Sequence, residues 1–210
     1  MAIKPILFNT EMVRAILDGR KDATRRIVKG FIPDDAVWGY TAFTPKGYIS
    51  CRGTFADGYG EKFFKLPCEP GDILYVRETW KKAHNGYYYY EDWKRNDIAD
   101  VTKWKPSIHM PKEAARIWLK VTDVRVERLQ DITPKVAESE GVGNLFYDDI
   151  GYGEKNYGTE VDTEYGIAKE QFAWLWESTI KKSDLDRYGW DANPWVWVIE
   201  FERCEKPEGV

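Results

Sequence analysis

The sequence predicts an α+β protein: one domain built on a curved or closed mixed β-sheet, with short peripheral helices and long loop insertions. Apolar residues recur mainly in short alternating runs, and only three stretches carry a helical period. Neither successive βαβ units nor a G-x-G-x-x-G is present, which argues against a doubly wound nucleotide-binding fold. Composition shifts cleanly nowhere along the 210 residues, so a single elaborated domain over 1–210 is expected. A chain of this size buries roughly 70% of its extended surface without disulfide staples.

Lys4 to Phe8 reads as a first strand, and Asn9 or Thr10 as the cap of a helix whose apolar stripe is Met12, Val13, Ile16 and Leu17. Gly19 supplies its stop. Arg20, Lys21 and Thr24 then fall in the turn that leaves the helix, ahead of a strand near Arg26 to Val28. Two strand-like runs between Ala36 and Phe55 flank Thr44 to Gly47, a hairpin connection, and Asp57 to Gly60 marks another turn.

Asp72 to Trp80 reads as one strand, with Leu74, Val76, Glu78 and Trp80 on a common face. A carboxylate in that apolar row needs a partner. Tyr87 to Tyr90 suggests an edge strand or surface hairpin, and Pro106, His109 and Pro111 a loop. Arg116 to Val126 is a long strand with Asp123 at a bend or bulge, and Thr133 caps a short helix with Pro134 in its first turn. Residues 141–166 hold six glycines and an acidic bias, the pattern of a long loop. A helix over Lys169 to Ile180 and a closing strand over Trp195 to Phe201 complete the chain.

Net charge is −4, with 31 basic and 35 acidic residues, but it is unevenly spread. Arg14 to Lys29 is locally +4 and Asp131 to Glu170 locally −7, so a polyanionic partner is expected to meet the N-terminal part. Aromatics make 15% of the chain, which suits sheet faces, a rigid core or base stacking. Cys51, Cys68 and Cys204 lack a C-x-x-C and are expected as reduced thiols of a cytoplasmic protein. The first fourteen residues show no signal-peptide pattern, and no run reaches the ~18 apolar residues of a membrane span. Cys51, Cys68, His84 and His109 lack ligand spacing, so neither metal nor cofactor is expected.

Chemistry concentrates in Gly19 to Arg26. A turn holding Lys21 near Thr24 lets the ammonium anchor an anion or, with its pKa lowered, take the Thr24 proton. Glu78 is the candidate proton donor and acceptor, or the counter-charge of Lys21. Arg20, Arg25, Arg26, Arg77 and Lys105 are candidate ligand or phosphate contacts, with Trp80 a stacking surface and His109 a further contact.

Gly19-x-Lys21-x-x-Thr24-x-Arg26, together with Gly71 to Trp80, resembles the ASCH family, whose members share the PUA-like fold, a small β-barrel with peripheral helices. Phage and prophage-type members look similar also around Trp104 to Pro111. Many members carry Glu where this chain has Thr24; the Thr version resembles the subgroup linked to amidohydrolysis of acylated cytidines. That resemblance implies Lys21, Thr24 and Glu78 as catalytic residues.

Three readings follow. One is a basic cleft for RNA, single-stranded nucleic acid or a modified nucleoside. Another is an amidohydrolase of acylated nucleosides. The third is a phage-type interaction or assembly factor that meets a protein partner through 141–166.

Overall fold

The structure is a computed structural model and describes residues 1–95, 103–142 and 165–209. Strand β1 (Ile3–Leu7) leads into helix α1 (Thr10–Leu17), followed by β2 (Ala23–Ile27), β3 (Val37–Gly39), β4 (Tyr48–Phe55) and β5 (Gly58–Lys65). Next come β6 (Ile73–Arg77), β7 (Trp80–Ala83), β8 (Gly86–Tyr89), helix α2 (Tyr90–Arg95) and β9 (Trp118–Arg128). Helices α3 (Pro134–Ser139), α4 (Tyr165–Thr179) and α5 (Leu185–Tyr188) precede β10 (Trp195–Cys204). The α+β class is as expected. Its helices outnumber the three expected, and α4 runs for 15 residues.

The strands form three sheets. A mixed five-stranded sheet has the order β1-β6-β9-β10-β2, in which β1 and β6 run parallel and the other neighbours antiparallel. A second sheet has the order β3-β4-β5, and β7 with β8 forms a hairpin. Between edge strands β1 and β2, Arg26 Nη2 donates to the Leu7 carbonyl at 3.0 Å, so a side chain reaches from one edge of the main sheet to the other.

Local signals are realised closely at several points. Asn9 caps α1 by accepting from the Met12 amide at 2.8 Å, and Gly19 turns the chain at φ 74°. Thr133 caps α3, with Pro134 in its first turn. The bulge expected near Asp123 lies one residue earlier: Glu200 pairs with Asp123 and Phe201 with Val121, which leaves Thr122 as the extra residue.

Four expectations change. Thr24 lies inside β2, paired with Ile199, rather than in the turn. Strand β5 occupies 58–65, where only a turn was expected. The run Asp72 to Trp80 is two strands, because β6 ends at Arg77, so Glu78 sits in the link to β7 rather than on a strand face. The loop expected over 141–166 falls mostly outside the described residues, although Tyr165 and Gly166 already belong to α4.

Strand β6 serves two cores through its alternation. Leu74 and Val76 join the main cluster with Ile16, Leu119 and Val198, whereas Ile73 and Tyr75 face a smaller one around Met110, Trp80 and Trp118. Trp38 of β3 meets Trp195 and Trp197 of β10 at ring separations of 5.7 and 6.3 Å, which seats the second sheet on the first. Helix α4 buries Ala168, Phe172, Leu175 and Trp176, a spacing that keeps them on one side.

All three cysteines are free thiols. Desolvation pushes Cys51 and Cys68 up to about 11, so both stay protonated near neutrality. Among the described residues no helix is long and apolar enough to cross a membrane.

Gly141 locks the end of α3 against the turn after α1. Its φ is 87°, and a Cβ there meets Ala15 Cβ at 2.7 Å and Lys21 Cβ at 3.2 Å. Gly141→Ala is therefore expected to lower stability by about 2 kcal/mol, from a left-handed backbone and an overfilled contact. A lower urea midpoint at unchanged m-value is the readout.

Candidate functional site

Lys21 is fully enclosed at the end of the turn from α1 into β2. Its Nζ donates to the Ala23 carbonyl at 2.7 Å, the Glu140 carbonyl at 2.8 Å and Glu140 Oε2 at 2.9 Å. Three acceptors match the three protons of an ammonium. One is a carbonyl at the end of α3, so Lys21 also caps that helix. Burial pulls the Lys21 pKa down, and Glu140 opposes that fall.

Glu140 is shared. Its Oε1 accepts from Arg25 Nη1 at 3.1 Å, and Arg25 Nη2 reaches Glu127 Oε2 at 3.2 Å. The Arg25 guanidinium also lies 5.7 Å from the Phe172 ring centre. Arg20 steadies the rim through the Gly141 carbonyl at 3.1 Å and Asp18 at 3.2 Å. Arg26 is exposed and packs over Phe8 at 5.3 Å.

These groups surround a cleft of about 60 Å³ between β2 and α4. Its polar wall is Lys21, Thr24, Arg25, Arg26 and Glu140, and Phe8, Met12, Phe172, Leu175 and Trp176 form the apolar one. Thr24 is 2% exposed and lines this cleft, yet among the described residues its hydroxyl makes no hydrogen bond. A free hydroxyl on the wall is positioned to bind whatever enters.

Glu78 is placed apart from this group. It is buried, and Arg116 grips it with two bonds: Nε to Oε1 at 2.9 Å and Nη2 to Oε2 at 3.0 Å. Arg116 Nη1 also reaches both Asp92 oxygens at 2.8 Å. Burial raises the Glu78 pKa, Arg116 opposes this, and Asp92 and Glu91 add to it. Glu140 therefore stands beside Lys21 where the sequence reading put Glu78.

The remaining expected contacts gather near the Met110 core. Arg77 donates to the Ile108 carbonyl at 3.3 Å and to the Tyr75 hydroxyl at 3.2 Å. Trp80 is 5% exposed and packs in that core, with the Lys105 ammonium 5.0 Å from its ring centre. His109 is exposed in a 3-10 turn over Ser107–His109. The structure thus joins Lys21, Thr24, Arg25 and Arg26 at one cleft, with Arg20 at its rim, and sets Arg77, Trp80, Lys105 and His109 elsewhere.

Sequence reasoning missed Glu140, Glu127 and Arg116. One signal for Glu140 was present: an acidic residue at a helix C-terminus opposes the helix dipole, which calls for a compensating cation. Comparison of the chain with protein-family models, curated proteins and solved structures finds no match.

Proposed function

We propose that this is a PUA-like protein of the ASCH type that binds a nucleoside-like ligand carrying a small substituent. The observation that carries the reading is the two-sided cleft, with rings on one wall and an unpartnered Thr24 hydroxyl on the other. The planar base lies against the aromatic wall, its substituent enters the small cavity, and Thr24 supplies the hydrogen bond. The Arg26 bond to Leu7 supports barrel-like curvature of the main sheet. A polymer-binding version has less support here, since Lys21 and Arg25 are buried and engaged by Glu140. The free, buried thiols of Cys51 and Cys68 support a cytoplasmic location.

A second reading, amidohydrolysis of an acylated nucleoside, is favoured by that same hydroxyl lining a cleft with an amine whose pKa burial lowers. Thr24 Oγ adds to the acyl carbon as its proton passes to neutral Lys21. The C–N bond then breaks, the departing amine takes the proton back, and water releases the acyl group from Thr24. Lys21 must start neutral, so the rate is expected to rise with pH through a value below 10.5.

A panel of free and acylated nucleosides separates the readings: thermal shift reports binding and mass spectrometry reports deacylation. Thr24→Val is expected to leave stability nearly unchanged, because the lost hydroxyl has no partner, while removing the ligand-induced shift and any turnover. A panel without shift or mass loss on the wild-type protein would reject both readings.

A further inference from the structure

Among the described residues, six of the nine exposed large apolar side chains fall between 31 and 63: Phe31, Val37, Tyr40, Phe43, Tyr59 and Phe63. Five of the six are aromatic. Register and alternation divide the β3–β5 sheet into two unlike faces. Ile49, Cys51 and Phe55 of β4 point inward and are buried, and Trp38 and Phe64 pack against the main core. The outer face pairs Thr54 with Tyr59, Arg52 with Glu61, Ser50 with Phe63 and Tyr48 with Lys65.

Tyr59 and Phe63 lie four residues apart on this face, roughly 14 Å at the rise of an extended strand. That exceeds the ~3.4 Å between neighbouring bases of a duplex strand and suits bases splayed from an extended chain. Arg52 and Lys65 are exposed on the same face, and its acidic residue, Glu61, accepts a hydrogen bond from the Ser50 hydroxyl. Two cations beside exposed rings, on a protein of net charge −4, match a partner with a phosphate backbone and flat bases. The scarcity of exposed aliphatic side chains favours base stacking over an apolar protein contact.

We propose that the outer face of the β3–β5 sheet binds single-stranded nucleic acid, stacking bases on Tyr59 and Phe63 while Arg52 and Lys65 hold phosphates. This surface is distinct from the Lys21 cleft and does not rest on the reading of that cleft.

Fluorescence anisotropy with a labelled single-stranded RNA of mixed sequence tests it, against a duplex of the same sequence, over a range of salt concentrations. Tyr59→Ala and Phe63→Leu are each expected to weaken binding roughly tenfold. Leucine keeps the apolar bulk but removes the ring, and unchanged melting temperatures exclude a folding defect. Lys65→Gln is expected to flatten the dependence of log K on log salt by about 0.7. Absence of wild-type binding at low salt, equal binding of the duplex, or full binding by Phe63→Leu overturns the proposal; the last result would mark a general apolar contact surface instead.

Discussion

Glu140→Gln is expected to lower the free energy of unfolding by about 3 kcal/mol near neutral pH, in the range for breaking a buried ion pair. Its carboxylate lies 2.9 Å from Lys21 Nζ and 3.1 Å from Arg25 Nη1, and the side chains of Lys21 and Arg25 are each 1% exposed. The amide can still accept a hydrogen bond, so the loss isolates the missing charge. Two enclosed cations then face one another, with Glu127 beside Arg25.

The pH dependence has a definite sign. Burial already holds Lys21 below 10.5, and Glu140 opposes that fall, so its removal lowers the folded pKa further. Between the folded value and 10.5 the unfolded chain binds the proton more readily, and stability rises with pH through that window. Urea midpoints taken near pH 7 and near pH 9.5 should therefore show the deficit shrinking at the higher pH. Lys21→Met in the Glu140→Gln background is expected to recover part of the loss, because it removes the stranded charge. A variant as stable as wild type at both pH values would show that the carboxylate does not hold these cations in the fold.

How much of this was legible in the sequence depends on the reach of each interaction. Asn9, Gly19, Thr133 and Pro134 act within a few residues of themselves, and the elements they bound appear where expected. Strand β5 gives no such signal. Tyr59-Gly60-Glu61-Lys62 lacks an apolar alternation because most of its side chains face solvent, and pairing with β4 rather than burial defines it. The cleft was half legible. Lys21, Thr24, Arg25 and Arg26 are neighbours in sequence, but the carboxylate that organises them lies 119 residues from Lys21. Glu78 was singled out correctly as a carboxylate needing a partner, although its apolar row ends at Arg77. That partner is Arg116, 38 residues on, which no local pattern reveals.

Arg116→Ala is expected to cost about 3 kcal/mol near neutral pH, because it strands the buried Glu78 carboxylate. Glu78 is 2% exposed, and the arginine also braces Asp92 and covers the Tyr89 ring at 4.0 Å. Desolvation raises the Glu78 pKa above 4.5 even with Arg116 opposing it, so truncation raises it further and drives the group neutral. A folded value above the unfolded one gives a contribution that is complete below 4.5 and lost as pH climbs through the folded value. The deficit relative to wild type should therefore shrink as pH falls from about 7 toward 5, the reverse of the trend expected for Glu140→Gln. Glu78→Gln in the Arg116→Ala background should abolish this slope, since an amide has no proton to gain. Persistence of the slope in the double variant would assign it to another carboxylate, with Asp92 and Glu91 the nearest candidates by their influence on Glu78. The two opposite slopes together distinguish a buried ammonium from a buried carboxylate, a distinction that loss of stability alone does not make.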